Sequence, residues 1–111
     1  MASPSGVDTI ERFFAGAAVR ASSDPMLRRA TGTCRFDIVG AGSWLVRADH
    51  GALSVNAATE STLADCTLIA TEDDFVRMAR GEQNPLTSFM RGRLRMTGRI
   101  SLAERFLHLF P

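Results

Sequence analysis

Three consecutive runs of alternating apolar and polar residues constrain the fold of this chain more than any other feature. Turns at Gly40-Ala41-Gly42 and at His50-Gly51 separate the runs. Because successive side chains of a strand point to opposite faces, the pattern predicts three antiparallel strands joined as hairpins, with one face exposed to water. Their apolar members are Cys34, Phe36 and Ile38; then Trp44, Val46 and Ala48; and finally Leu53 and Val55.

Helical spacing takes the place of this alternation before the first strand. Asp8 and Glu11 have the spacing of a capping box, which predicts that a helix begins there. Asp24-Pro25 predicts an N-cap followed by proline at the first position of a short second helix. The apolar stripe that predicts the first helix consists of Ile10, Phe13, Phe14, Ala17, Ala18 and Ala21.

The C-terminal half combines the same two periodicities. Alternation at residues 66–71 and 93–97 predicts a fourth and a fifth strand. Ser101 and Glu104 then have capping-box spacing and predict the start of a last helix. Five strands with helices towards the ends of the chain predict an α+β fold, in which a five-stranded, mostly antiparallel sheet carries helices on one face. We expect a single domain over residues 1–111.

Two shorter helices are predicted between the last two strands. Thr71 precedes Asp74 by three residues, which is typical of an N-cap, and Gly81 is a suitable end for that helix. Asn84-Pro85 predicts the start of the next helix. The apolar residues of this helix are Leu86, Phe89 and Met90.

Composition excludes several kinds of chemistry. The chain has 13 positively charged residues, all of them Arg, and it contains neither Lys nor Tyr, so Schiff-base catalysis and tyrosine acid–base catalysis are excluded. A net charge of +1 gives little attraction for nucleic acid. Without a C-x-x-C pair the sequence gives no support for a zinc or dithiol site, and we expect neither metal nor cofactor.

The chain carries no sequence signal for a membrane or for export. No apolar run reaches the roughly 18 residues that span a bilayer. Residues 1–6 lack the charged and apolar regions of a secretory signal. We therefore expect a cytoplasmic protein, in which Cys34 and Cys66 are small core residues kept reduced.

Four arginines close together near the C-terminus are the main candidates for a charged site. Arg91, Arg93, Arg95 and Arg99 flank or occupy the fifth strand. As one alternative, they form a solvated sheet edge that discourages pairing with other chains. As the other, they contact an anionic headgroup, a coenzyme A phosphate or an acidic membrane surface.

A resemblance to the sterol carrier protein type two family covers the C-terminal half closely and the N-terminal half in element order only. It is carried by residues 64–68, by Glu72-Asp73-Asp74-Phe75, and by Gly81 with Asn84-Pro85. It continues through residues 89–98 and ends with Leu102-Ala103. The resemblance implies a protein without catalytic residues, in which an apolar tunnel between sheet and helices binds fatty acid, fatty acyl-CoA, sterol or phospholipid.

Fourteen residues are predicted to line the tunnel. The resemblance implies Leu68, Phe75, Phe89, Met90, Leu94, Met96, Leu102 and Phe106. Periodicity adds Phe14, Phe36, Ile38, Trp44, Val46 and Phe110.

Three departures from the family pattern bear on the interpretation. Arg replaces the usual Lys around the fifth strand, which preserves the charge. Glu104 is either a helix cap or a ligand contact. The sequence does not end in a Ser-Lys-Leu peroxisomal signal. With the Arg-only composition, this last feature favours a bacterial cytoplasmic protein.

Three hypotheses for function follow. The first is an intracellular lipid-binding or transfer protein, either monomer or homodimer, that makes transient contact with a membrane surface. The second is a non-enzymatic accessory or dimerisation domain that presents apolar substrates to a partner enzyme. The third is a small enzyme that uses His50 or a glutamate, although His50 and His108 are better explained as surface imidazoles.

Overall fold

The alternating runs form the sheet that the sequence predicts. In the computed structural model, which describes residues 5–111, the five strands lie in the order β3-β2-β1-β4-β5. The strands are β1 (Thr31–Val39), β2 (Gly42–Asp49), β3 (Ala52–Ala57), β4 (Cys66–Thr71) and β5 (Leu94–Gly98). The helices are α1 (Ser5–Ala15), α2 (Ala17–Ser23), α3 (Pro25–Arg28), α4 (Glu72–Ala79), α5 (Pro85–Met90) and α6 (Ile100–Phe106), with a final 3₁₀ turn at Leu107–Leu109.

Strand pairing confirms a mostly antiparallel sheet. Phe36 on β1 lies opposite Trp44 on β2 and beside Leu68 on β4. Leu68 in turn lies opposite Met96 on β5. β1 and β4 are the one pair that runs parallel among the paired strands of the described chain. The fold class is therefore α+β, as predicted.

The two faces of the sheet differ as the alternation predicts. Every second residue of β1, from Cys34 to Ile38, is buried against the helices, and β4 repeats this pattern. The opposite face carries polar side chains such as Arg35, whose Nε lies 2.7 Å from Asp37 Oδ1. Arg35 also donates to the carbonyl oxygens of Thr59 and Thr62, which fixes the loop before β4.

The start of the first helix was predicted wrongly. Asp8 and Glu11 lie inside α1, which already includes Ser5, and Asp8 forms an i,i+4 pair with Arg12 at 2.9 Å. The predicted single helix is also divided at Gly16. A Cβ at Gly16 would lie 2.7 Å from Arg20 Nη1, so glycine leaves room for the Arg20 side chain to fold back over α1.

The capping box predicted for the last helix is also wrong. Ser101 and Glu104 lie within α6, which begins at Ile100 and has Arg99 as its N-cap without a side-chain cap hydrogen bond. The backbone N–H of Arg99 instead donates to the Asp65 carbonyl at 2.9 Å. Contact with the loop before β4 therefore sets the start of α6.

The other three predicted caps are confirmed. Asp24 accepts hydrogen bonds from the N–H groups of Met26 (2.8 Å) and Leu27 (3.3 Å) at the start of α3. Thr71 accepts from the Asp74 N–H at 3.2 Å, and Asn84 caps α5. No helix in residues 5–111 is long and apolar enough to cross a membrane. Most of residues 1–6, the segment on which the expected absence of a secretory signal rests, lies outside the described residues.

Candidate functional site

Seven aromatic side chains meet between the sheet and the helices, and we call them the aromatic cluster. Phe36, at the centre of β1, has its ring centroid 5.4 Å from that of Phe14 and 6.3 Å from those of Phe75 and Phe106. Trp44 stacks on Phe14 at 5.1 Å. These are contact distances, so the rings pack directly on one another. The cluster consists of Phe13, Phe14, Phe36, Trp44, Phe75, Phe106 and Phe110.

Most of the residues predicted to line a tunnel lie in this one core. Eleven are buried: Phe14, Phe36, Ile38, Val46, Leu68, Phe75, Leu94, Met96, Leu102, Phe106 and Phe110. Trp44 is partly buried and packs against them. Phe13 is absent from the predicted set although its ring lies 4.7 Å from Phe110 and 5.0 Å from Phe75. The position of Phe13 in the apolar stripe of the first helix was the sequence signal that it belongs to the core.

Phe89 and Met90 do not point inwards, contrary to the prediction. Their exposed fractions are 38% and 77%, and that of Leu86 is 55%. Ser88 on the same helix is 1% exposed. The buried residues of α5 are therefore Pro85 and the polar Ser88, and its larger apolar side chains face solvent. Lipid contact by Phe89 and Met90 stays a prediction.

A surface groove, which we call the apolar groove, leads towards the aromatic cluster. It has a volume of about 380 Å³, and Phe110 forms part of its wall. Its apolar lining is Met26, Pro85, Leu86, Leu107, Phe110 and Pro111, and its polar lining is Asp24, Asn84, Glu104 and His108. Glu104, which does not cap α6, therefore lies at this groove.

Asp24 and His108 form a polar contact in the wall of the apolar groove. His108 Nδ1 lies 3.2 Å from Asp24 Oδ2. Burial alone would raise the pKa of Asp24, but hydrogen bonds from the Leu27 and Met26 N–H groups, together with His108, outweigh burial and lower it. The Asp24 carboxylate is therefore favoured in its charged form.

The four candidate arginines do not form one cluster. Arg91 and Arg93 line a second pocket of about 340 Å³ together with Arg77, and we call it the arginine pocket. Arg93 Nη1 lies 3.5 Å from Asp74 Oδ1. Arg95 instead projects from the outer face of the edge strand β5, where its register partner is Ile69, and Arg99 precedes α6. A shared headgroup role for all four stays a prediction.

The two cysteines and His50 occupy the positions expected of structural residues. Cys34 and Cys66 are buried register partners on β1 and β4, and both are free thiols. Burial raises the pKa of the Cys34 thiol well above its ordinary value, which disfavours the reactive thiolate. His50 is exposed in the turn between β2 and β3, with Nδ1 3.5 Å from Thr31 Oγ1. Within residues 5–111 no group of three or more His, Cys, Asp or Glu side chains is placed to hold a metal ion.

Comparisons with known proteins identify what this chain is similar to. Residues 10–111 match the model of the SCP-2 sterol transfer family. Human sterol carrier protein 2 is 33% identical over 67 residues, which are 60% of this chain and 12% of that protein. The chain spans between 12% and 20% of the length of the curated relatives it matches.

Solved structures share the fold. A structure described as the UbiJ-SCP2 ubiquinone synthesis protein has a TM-score of 0.65 and 22% identity, covering 93% of this chain and 92% of its own. Palmitated SCP2L2 from Aedes aegypti has a TM-score of 0.66 and 18% identity, covering 98% of this chain and 94% of its own. At these identities the likeness establishes the architecture alone.

Proposed function

The chain belongs to the SCP-2 sterol transfer family, and from that membership we propose that it binds single lipid molecules and transfers them between membranes. The whole chain, residues 1–111, acts as one such domain. The ligand is a fatty acid, fatty acyl-CoA, sterol or phospholipid, whose apolar part enters between the sheet and the helices. The palmitated Aedes aegypti relative supports an acyl chain as one such ligand.

The observation that carries this proposal is the apolar groove that reaches the aromatic cluster. Phe110 belongs to both, because it forms part of the groove wall and lies 5.4 Å from Phe75 in the cluster. An acyl chain that enters the groove has to displace packed side chains to reach the space between the sheet and the helices. Burying about eight methylenes contributes roughly 6 kcal/mol before ordering costs, which is enough for reversible binding.

Binding of this kind needs no catalytic group, and we propose that the protein is not an enzyme. The groove residues that carry ionisable side chains already have other roles or neighbours. His108 contacts Asp24, and Asp24 caps α3. Glu104 at the groove would repel an anionic headgroup, which favours ligands that enter with the apolar end first. We also propose that it is a bacterial cytoplasmic protein, which the Arg-only composition supports.

A second candidate is an accessory domain that presents apolar substrates to a partner enzyme. It is favoured by the short share of the curated relatives that this chain spans, because in those proteins the matching segment belongs to a much longer chain. The similarity to a ubiquinone synthesis protein also supports this candidate. Concentration-dependent self-association or partner binding without lipid uptake would favour it over transfer.

To test lipid binding, one substitution fills the interior with a larger side chain, and a matched substitution makes the same change on the outer face of the same strand. Met96 is 8% exposed on the inner face of β5, and Thr97 is exposed beside it on the outer face. We expect Met96→Trp to weaken uptake of a fluorescent fatty acid about tenfold or more, and Thr97→Trp to leave it unchanged. Native mass spectrometry of the wild-type protein, purified without detergent, identifies any lipid already bound.

The outcomes are decisive in either direction. Folded Met96→Trp protein that binds fatty acid as tightly as the wild type would overturn the proposed site. Wild-type protein that takes up neither fatty acid nor sterol would overturn the function. If Met96→Trp does not fold, Met96→Ala enlarges the interior and is expected to shift bound lipids towards longer chains. No shift in that variant counts against the site.

A further inference from the structure

Helix α5 presents its apolar side chains to solvent instead of to the core. Leu86, Phe89 and Met90 are exposed, while Pro85 and Ser88 are buried. The other large exposed apolar residues of the described chain include Val19, Val39 and Leu63, each on a separate element or loop. Three such residues within five positions of one helix form a patch, and exposed apolar patches mark interaction sites.

Hydrogen bonds hold α5 in this orientation. Ser88 Oγ donates to the Asn84 carbonyl oxygen at 2.8 Å and accepts from Gln83 Nε2 at 2.9 Å. Gln83 Nε2 also donates to Asp74 Oδ1 at 3.2 Å, and Asp74 is 8% exposed. Rolling the helix to bury its apolar side would take Ser88 Oγ away from Gln83 Nε2 and expose Pro85, and losing a hydrogen bond to a buried group costs about 1–3 kcal/mol. The outward patch is therefore a stable feature of the fold.

Positive charge lies beside this apolar patch, along one side of the same helix. The arginine pocket places Arg77, Arg91 and Arg93 around Thr87 and Ser88 of α5. Glu82 is the one acidic residue among its lining residues in the described chain. Arg93 is already paired with Asp74, which leaves Arg77 and Arg91 available to an incoming anion. Arginine guanidinium groups bind phosphate oxygens through two parallel hydrogen bonds.

We propose that Leu86, Phe89 and Met90, together with Arg77 and Arg91, form a surface that docks the protein onto an anionic phospholipid membrane. The apolar side chains enter the boundary between headgroups and acyl chains, and the arginines contact lipid phosphates. This inference rests on the proposed function, because a transfer protein has to meet a membrane to load its cargo. Leu86 lies both in this surface and in the wall of the apolar groove, so docking brings the groove to the membrane.

Charge complementarity favours a membrane over a protein as the occupant. A stable protein interface buries about 800 Å² on each partner, with an apolar core inside a polar rim. The patch on α5 is three side chains wide and has arginines along one side only. A fluid lipid surface can accommodate this arrangement without a shape-matched partner, since each basic residue near an anionic surface contributes about 1 kcal/mol.

The test is sedimentation with vesicles of phosphatidylcholine alone or with about one-third phosphatidylglycerol. We expect wild-type protein to bind the anionic vesicles, less so as salt is raised. Leu86→Ser/Met90→Ser is expected to bind about tenfold more weakly. Arg77→Gln/Arg91→Gln is expected to lose most of the salt dependence. The matched controls, Val19→Ser/Val39→Ser and Arg29→Gln/Arg47→Gln, change equally exposed residues elsewhere and are expected to bind as the wild type does.

Three results would overturn the proposal. The first is that the wild type binds neutral and anionic vesicles equally well. The second is that Leu86→Ser/Met90→Ser binds anionic vesicles as tightly as the wild type. The third is that the wild type binds no vesicles but forms a dimer, and that this variant abolishes the dimer. Uptake of fluorescent fatty acid by the wild type, measured without vesicles, separates this inference from the proposed function. Uptake without docking removes the inference alone, and failure of uptake removes the function.

Discussion

The core around the aromatic cluster and helix α5 bury opposite kinds of side chain. In the cluster, Phe36 and Phe106 are almost fully buried and polar residues face outwards. In α5, Ser88 is buried and Phe89 and Met90 are exposed. Apolar character therefore does not by itself decide which side of a short helix is buried. Where buried polar groups need partners, as Asp74 and Ser88 do, satisfying them takes precedence.

The largest effect is expected from truncating one phenylalanine in each region. We expect Phe106→Ala to lower the free energy of unfolding by about 3–5 kcal/mol, because it leaves a cavity in a packed core. Phe89→Ala, which removes a partly exposed ring, is expected to cost less than about 1 kcal/mol. Urea unfolding followed by Trp44 fluorescence measures both. Similar losses in the two variants would contradict the comparison, and Phe106→Leu serves as a milder change if Phe106→Ala does not fold.

A smaller effect is expected from removing the hydrogen bonds that orient α5. Ser88→Val deprives Gln83 of an acceptor and is expected to lower the free energy of unfolding by about 1–3 kcal/mol. Thr87→Val makes a change of similar shape on the exposed side of the same helix and is expected to stay within about 0.5 kcal/mol of the wild type. If both variants were equally stable, the orientation of α5 would not depend on Ser88.

The smallest effect concerns Asp24, in the wall of the groove that adjoins both regions. Asp24→Ala removes the N-cap of α3 and is expected to cost about 1 kcal/mol. Asp24→Asn keeps an acceptor oxygen and is expected to cost less. The pKa of Asp24 is lowered from its ordinary value of 3.8. The charged carboxylate therefore stabilises the fold above that pH, and this stabilisation is lost as the pH falls through the lowered pKa. The difference in the free energy of unfolding between the wild type and Asp24→Asn should therefore shrink below about pH 4. A difference that does not change with pH would contradict this assignment.

Local patterns predicted the sheet well because its residues alternate with little ambiguity. Cys34, Phe36 and Ile38 face inwards as the alternation requires. The capping boxes at Asp8 and Ser101 were wrong because the spacing of two residues does not by itself fix where a helix begins. Before Asp8 the chain is already helical, and before Ser101 it is held by a loop distant in sequence. For α6 that loop contact is the hydrogen bond between Arg99 and Asp65.

The candidate site was predictable in part, for similar reasons. Burial of Leu68, Leu94 and Phe106 follows from their positions in strands and helices. The outward orientation of Phe89 was not predictable from α5 alone, since it depends on Asp74 of another helix. The arginine pocket was missed in the same way, because Arg77 lies 14 positions before Arg91 in the sequence and only the tertiary fold brings both to the wall of one pocket.

The Arg20 side chain joins parts of the chain that are far apart in sequence, and this has a consequence for biosynthesis. Its Nη2 donates to the Phe13 carbonyl at 2.5 Å and its Nε to the Leu109 carbonyl at 2.7 Å, with the guanidinium 4.8 Å from the centre of the Phe13 ring. A nascent chain can make the contacts between Arg20 and Phe13 early, but it cannot bond Arg20 to Leu109, or place Phe110 against Phe13, until residue 110 has left the ribosome. Until then the cover over β1 lacks α6, and part of the apolar face of the sheet stays open to chaperones or to aggregation.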